Sequence, residues 1–310
     1  MSAPIRLSNP SEIVSSIPHL LGFTPSESVV VLWMRDRQVL VTQRFDLPGP
    51  LSDSDLEDFQ QQAFGHQAAR MSDDAFIIVI TDNMSDQGTR AIPRLLTGRF
   101  TERQIDRVLV TDMARVRVLG GGDVRDVQPA RDVFGDRYPA ADRSMLEQEY
   151  AESDVLDKAL FAQVVTEIRA VPDEALGDWM REVVDTVGAD VLDGGEISDS
   201  QAVRLLIAWS HPHGRDRFVV ALANHDRSAA APLASLTRRT PQEFKAPCAT
   251  LAAIAAYLAG DGARANVALD IATAADPDYG LADSISAAVS SGIPPQEVRA
   301  VLQRDLTDAA

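Results

Sequence analysis

The chain has 310 residues, of which 45% are hydrophobic and 24% are charged. This balance predicts a soluble globular protein large enough for two domains or one large one. The net charge of −17 argues against nucleic acid or an anionic membrane surface as a partner, because both require basic patches. The single cysteine, Cys248, excludes an internal disulfide and suits a reducing cytosol. Because we find no signal peptide and no apolar run of about 20 residues, we expect a cytoplasmic protein.

The first 120 residues alternate between strand and helix patterns. The predicted elements are a strand at 4–7, a helix at 9–21, a hairpin of strands at 29–33 and 39–45, a polar helix at 52–70 and a strand at 75–80. Asn9 and Pro10 mark the start of the first helix, and Pro18 is expected to kink or restart it. The run from 75 to 80 is almost wholly apolar, which predicts a strand buried on both faces.

A second copy of the first pattern follows. Residues 92–100 (Ile-Pro-Arg-Leu-Leu-Thr-Gly-Arg-Phe) resemble residues 17–23, and in both copies a strand, a charged turn and a returning strand come next. In the second copy these strands are predicted at 107–110 and 116–119. We therefore predict two β-α-β-β halves that form one mixed sheet about a pseudo-two-fold axis. Chance similarity between two Leu-rich helices is the alternative.

The rest of the chain has a different character. Residues 121–144 show no periodicity, which predicts a linker or a long functional loop. Beyond residue 145 apolar residues recur at helical spacing, as in Leu156, Leu160 and Val164, and only 215–222 is ambiguous between helix and strand. The predicted fold is an α/β domain over 1–120 with a mixed sheet, followed by an all-α domain over 145–310.

One stretch near the N-terminus carries a family resemblance. Residues 16–31 read S-x-P-H-L-L-G-F-x-P-x-x-S-V-V-V, and this pattern resembles the opening signature of an actinobacterial family, domain of unknown function 4192. Residues 257–270 and 275–279 are also similar to that family, whereas the middle of the chain matches it poorly. The resemblance implies no particular activity. Within the two later segments our candidates for an interaction surface are Tyr257, Leu258, Asp261 and Tyr279.

The same region has a helix-packing pattern. The spacing of Ala265, Leu269, Ala272 and Pro277 matches the second helix of a tetratricopeptide unit, in which small residues let a neighbouring helix approach closely. Alanines replace the bulky residues of the preceding helix, and no repeat of roughly 34 residues is present. We therefore predict a single helical hairpin, either an ordinary alanine-rich pair or a peptide-binding groove.

Three polar residues are candidates for a ligand or metal site. Asp82 follows the most apolar strand, Asp46 leaves the first hairpin, and His19 lies in the N-terminal signature. Ligands collect beyond the carboxyl ends of strands in open α/β sheets. Two carboxylates and an imidazole at that edge could bind a divalent cation or supply an acid–base pair. The alternatives are that Asp82 caps a helix and that His19 donates to a neighbouring carbonyl.

No catalytic motif of a known hydrolase, zinc protease or phosphate-binding loop is present in the sequence. We therefore expect a protein-binding or assembly module whose partner is a protein. The alternative is a small-ligand-binding protein or a hydrolase-like enzyme that uses the His19, Asp46 and Asp82 site. An apolar groove on the helical half would favour the first function, and a deep pocket holding these three residues would favour the second.

Overall fold

A computed structural model describes residues 9–47, 60–61, 65, 67–85, 108–119, 121–127, 142–225 and 229–305. The chain divides into two compact units. The sheet unit comprises Met1–Arg143 together with Ser291–Pro294, and the helical unit comprises Ser144–Ser290 together with Pro295–Ala310.

The sheet unit begins with helix α1, Pro10–Leu21. Its start is as predicted: Pro10 occupies the first turn, and the Asn9 side chain accepts a hydrogen bond from the Glu12 N–H at 3.0 Å. The helix runs through Pro18 and ends at Gly22, whose φ of +79° lies in the left-handed region that glycine adopts without strain.

Six strands of the described residues form one mixed sheet in the order β2-β1-β3-β4-β5-β6, which confirms the predicted fold class. The strands are β1 (Ser28–Arg35), β2 (Gln38–Asp46), β3 (Asp74–Ile80), β4 (Val108–Thr111), β5 (Arg115–Val118) and β6 (Arg125–Asp126), with the short helix α2 (Gln67–Met71) before β3. Only β3 and β4 are parallel, and every other neighbouring pair is antiparallel. Strand β6 lies where the sequence shows no periodicity.

Strand β3 occupies the centre of this sheet. Ile78 and Val79 point to opposite faces, and both are fully buried, which confirms the prediction from the apolar run. One face packs around a cluster that includes Trp33, Ala68 and Val110. Burial on both faces explains why β3 carries no alternation of polar and apolar residues.

The two hairpins, β1–β2 and β4–β5, lie on opposite sides of β3 in reversed order and direction. The predicted strand at 4–7 and the repeated segment at 92–100 lie outside the described residues, as does most of the predicted helix at 52–70. The internal duplication therefore stays a prediction.

After residue 150 the described residues contain no strand, as predicted. The helices are α3 (Arg143–Glu149), α4 (Lys158–Arg169), α5 (Asp173–Val183), which continues as a π-helical turn (Val184–Gly188), α6 (Ala189–Leu192), α7 (Asp199–Trp209), α8 (Pro212–Asn224), α9 (Ala230–Arg239), α10 (Gln242–Leu258), α11 (Gly262–Ala275), α12 (Gly280–Ser290) and α13 (Pro295–Asp305). The ambiguous stretch at 215–222 belongs to α8.

Helices α10 and α11 form the predicted helical hairpin and pack closely on each other. Ala253 and Ala256 of α10 are fully buried, and so are Ala265 and Ala272 of α11. Small side chains at these positions let the two backbones approach, as the tetratricopeptide-like spacing predicted.

Candidate functional site

The carboxyl ends of β2, β3 and β4 lie at one edge of the sheet. Ser28, at the start of β1, pairs with both Asp46 and Ile80, and Ile80 pairs with Thr111. Asp46 and Asp82 therefore leave the sheet at the same edge, as the sequence predicted. Strand β1 lies between β2 and β3, so their backbones are about 10 Å apart at the usual strand spacing.

The side chains at this edge have partners of their own. Asp46 is 87% exposed and forms an ion pair with Arg44, Nη2 to Oδ1, at 2.6 Å. The Glu27 carboxylate accepts from the Thr81 hydroxyl at 3.1 Å and from the Asp82 N–H at 2.8 Å. This carboxylate links the start of β1 to the end of β3 through these two hydrogen bonds. Nothing in the local sequence indicates this role.

The structure does not assemble His19, Asp46 and Asp82 into a metal centre. The described residues include all three, and among them no group of three or more His, Cys, Asp or Glu side chains could hold a metal ion. His19 lies partly buried in the last turn of α1, and Asp82 is exposed. An antiparallel β1 between β2 and β3 keeps the ends of the aspartate-bearing strands apart.

Asp112, in the turn from β4 to β5, is a further carboxylate at this edge. Burial alone would raise its pKa, but hydrogen bonds from the Arg115 side chain and from the N–H groups of Arg115 and Ala114 outweigh it and hold the pKa below its usual value. The same contacts close the turn, so the Asp112 carboxylate has a structural role at this edge.

The four candidates for an interaction surface make contacts within the helical unit. Tyr257 is only 5% exposed, and burial raises its pKa to about 12, so the structure places it in the core rather than on a surface. Asp261 caps α11 through the Arg264 N–H at 3.0 Å. The Tyr279 hydroxyl accepts from Arg215 at 3.4 Å, and Leu258 is partly buried.

A cleft of about 470 Å³ opens in the helical unit. Three segments form it: α3 with the turn that follows, the first turns of α10, and one face of α11. Its polar lining consists of Glu147, Tyr150, Glu152, Gln242, Lys245 and Asp270. Its apolar lining consists of Ala151, Val267, Ile271, Ala274 and Ala275. The α11 residues recur three or four positions apart, which places them on one side of the helix.

Lys245 is the basic side chain in this lining, and its side chain is only 5% exposed. Its Nζ donates to the Thr237 carbonyl at 3.1 Å and lies 3.0 Å from Oε1 of Glu152, whose side chain is 62% exposed. Thr237 lies in the last turn of α9, where a positive charge is favourable because the C-terminal end of the helix dipole carries a partial negative charge. The buried ammonium is therefore both hydrogen-bonded and neutralised.

Tyr150 lines the same cleft and is 3% exposed. Its hydroxyl is buried and has no hydrogen-bond partner among the described residues. Burial, with the nearby charge of Asp261 second, raises the pKa of Tyr150 well above its usual value, so the phenol is neutral. An unpartnered buried hydroxyl costs roughly 1–3 kcal/mol, which makes Tyr150 an exception that calls for an explanation.

No pattern in the sequence predicts this cleft. One signal was available: Lys245 is one of two lysines in a chain whose other basic residues are arginines. Glu152 and Asp270 carry no comparable signal, because exposed acidic residues are common throughout this chain. Only the packing of α3, α10 and α11 brings the lining residues together.

These features define a class of protein: an α/β unit with a mixed sheet, together with a helical unit that carries a cleft. No described helix is both long and apolar enough to cross a membrane. The family model described as a domain of unknown function (DUF4192) matches residues 10–296, so the chain belongs to that family, as the N-terminal signature predicted. No curated protein and no solved structure matches the chain.

Proposed function

We propose that this protein is a cytoplasmic protein-binding module whose helical unit receives a segment of a partner protein in the cleft. The observation that carries the proposal is the cleft itself, which combines an apolar wall on α11 with polar groups from α3 and α10. Its volume lies within the usual range for ligand sites. The apolar wall that α11 contributes to the cleft supports a binding module.

The contacts at the sheet edge do not favour the alternative, a small-ligand-binding protein or hydrolase-like enzyme. Asp46 is paired with Arg44, and the Asp82 N–H is held by Glu27. An acid–base pair requires two groups that share a reacting atom, whereas β1 lies between β2 and β3 and separates the strand ends that carry these two aspartates.

Site-directed photo-crosslinking tests the binding function. Cys248 is fully buried, so a cysteine introduced at Ala274, which is exposed in the cleft, is labelled selectively with a benzophenone maleimide. Irradiation in lysate of the native host should then attach a partner protein to the Ala274→Cys variant. A synthetic peptide covering the attached segment should compete with the crosslink and bind the unlabelled full chain in calorimetry.

The matched control is Thr273→Cys, because Thr273 is also exposed on α11 but does not line the cleft. The proposed function predicts a product from Ala274→Cys that Thr273→Cys does not give. Identical products from both positions, or an attached segment that fails to bind as a peptide, would contradict binding in the cleft.

A further inference from the structure

The two edges of the sheet differ in how well they resist pairing with another strand. At one edge, β6 has two residues, Arg125 and Asp126, and both are charged and exposed. At the other edge, β2 has nine residues and contains no lysine or proline, and its two ionised side chains, Arg44 and Asp46, pair with each other. Short, charged edge strands discourage pairing with a second chain, whereas long strands without lysine or proline permit it. The sheet therefore protects its β6 edge better than its β2 edge.

The backbone of β2 is hydrogen-bonded on one side, to β1. In an antiparallel ladder alternate residues direct both their N–H and their C=O to the same neighbouring strand, so every second residue of β2 directs these groups away from β1. Among the described residues, no hydrogen bond outside the β1 ladder reaches the backbone of residues 39–44. This outer row of donors and acceptors is left to water or to another strand.

The described side-chain contacts of β2 lie on a face of the sheet rather than beyond its edge. Val41 packs against the cluster that includes Trp33. The Gln43 side chain accepts a hydrogen bond from Trp33 Nε1 at 2.5 Å, and Gly292, which belongs to the sheet unit, lies against it. Side chains stand above and below the plane of a sheet, so these contacts do not pair with the outer backbone of β2.

The composition of β2 suits a partner strand. Residues 39–45 read V-L-V-T-Q-R-F, in which β-branched and aromatic side chains of high strand propensity predominate. The irregularity that β2 shows in its ladder with β1 lies between Val39 and Val41, toward the hairpin turn. Residues 41–46 therefore form a regular strand whose outer backbone can extend the sheet.

The charges of β2 suit pairing with a second copy of itself. Two identical antiparallel strands related by a two-fold axis place one residue opposite its own copy. With Thr42 or Gln43 at that position, Arg44 lies opposite an uncharged residue, and so does Asp46. With Arg44 there, two guanidinium groups would oppose each other, which is unfavourable. The two central registers thus bring no like charges opposite each other.

We propose that β2 pairs with β2 of a second copy of this chain, antiparallel and across a two-fold axis at Thr42 or Gln43. The pairing joins the two six-stranded sheets into one continuous sheet, and each copy supplies hydrogen-bond partners for the outer backbone of the other. This homodimer goes beyond the proposed function and does not depend on the cleft, which lies in the helical unit.

Sedimentation equilibrium of the full chain tests the dimer. Between about 1 and 100 µM the average mass should rise from that of one chain, 33.5 kDa, toward twice that value. Each copy carries a net charge of −17, so the two copies repel each other and added NaCl should tighten the dimer by screening this repulsion. A mass of one chain at every concentration, in about 300 mM NaCl, would overturn the proposal.

Three variants assign the dimer to the β2 edge. Thr42→Lys sets a lysine opposite its own copy or opposite Arg44, so it should weaken dimerisation at least about tenfold. Thr42→Val keeps a β-branched residue and should leave the affinity within about threefold of the parent. The matched charge control is Val124→Lys, because Val124 is exposed beside β6 at the opposite edge, and it should change the affinity less than about twofold. Equal losses from the two lysine variants would contradict the proposal.

Crosslinking locates the two-fold axis without a charged variant, so it decides the matter if Thr42→Lys lowers Tm. Cys248 is fully buried, so a cysteine at Thr42 can be labelled selectively. In both registers the two copies of residue 42 lie within about 8 Å of each other, and bismaleimidoethane should join Thr42→Cys chains into covalent dimers. Val124→Cys is the control and should stay monomeric. A dimer in the ultracentrifuge that Thr42→Cys does not crosslink, or that Val124→Cys crosslinks equally well, would place the interface elsewhere and overturn the proposal.

Discussion

Single side chains close the turns and join the strands of this protein. Asp112 accepts hydrogen bonds from the N–H groups of Ala114 and Arg115, at 3.0 and 2.7 Å, and from the Arg115 side chain. Met113, between Asp112 and Ala114 in this turn, has a φ of +70°, which a non-glycine residue adopts only at some cost. The carboxylate offsets that cost by satisfying the turn.

Replacing Asp112 by alanine should lower the free energy of unfolding by about 1–2 kcal/mol near pH 7, because the turn loses its acceptor. Asparagine should retain part of this stability, because its side-chain oxygen can still accept the two N–H groups. Urea unfolding of the three proteins measures the difference. Equal stability of the alanine variant and the parent would show that solvent closes the turn equally well.

The contribution of Asp112 should also depend on pH in a defined direction. Its pKa in the folded protein lies below the usual value of 3.8, so the folded state favours the ionised form. The stability is fully present above the usual value and is lost as the pH falls through the lower, folded value. The difference between the parent and Asp112→Ala should therefore be constant from about pH 5 to 7 and should shrink only below about pH 4. A difference that shrinks above about pH 5 would assign the effect to another group.

At the scale of whole elements, α7 and α8 approach closely where one helix turns into the other. A Cβ atom on Gly214 would lie 2.4 Å from the carbonyl oxygen of Ala208 and 2.9 Å from its carbonyl carbon. Both are backbone atoms, so no side-chain rotation can relieve the contact. Glycine is required here for space, in contrast to Gly22, where it is required for a positive φ.

We predict opposite effects of alanine at two helical glycines of the helical unit. Gly214→Ala should lower the free energy of unfolding by about 2–3 kcal/mol, because α7 and α8 must separate. Gly177→Ala in α5, where a Cβ would meet nothing within 4 Å, should raise it by up to about 1 kcal/mol through helix propensity. Thermal and urea unfolding measure both. Effects of the same sign would show that propensity, not space, governs Gly214.

At the largest scale, charge repulsion opposes folding of this chain. A net charge of −17 gives the compact state a self-repulsion that the unfolded chain largely escapes. Ion pairs such as Arg217 with Asp185 and Arg264 with Glu149 are partly exposed and individually weak. Screening by added salt should therefore stabilise the folded state, because it weakens the charge repulsion more than it weakens these ion pairs.

Raising NaCl from about 20 mM to about 300 mM should raise Tm by roughly 2–5 °C, because the Debye length falls from about 20 Å to less than 8 Å. Choline chloride at the same concentrations should act equally, because screening depends on ionic strength and not on the identity of the cation. Circular dichroism melts provide the measurement. A fall in Tm with salt would show that ion pairs outweigh the repulsion.

Much of the secondary structure could be predicted from the residues alone, because burial imposes a local period. The run at 75–80 is apolar throughout and became the central strand β3, while the spacing after residue 145 is helical and no described strand follows residue 150. The stretch at 215–222 was ambiguous because its length suits either element, and packing within α8 settles it as helix.

The candidate sites needed distances that local patterns do not contain. The period and length of the apolar runs predicted β1, β2 and β3 as strands and placed Asp46 and Asp82 at strand ends. They did not predict that β1 lies between β2 and β3, or that Glu27 accepts from the Asp82 N–H. The cleft joins Glu152, Lys245 and Asp270, which are far apart along the chain. Periodicity reports which face of an element is buried, whereas helix packing determines which distant side chains share a cavity, and that depends on the core as a whole.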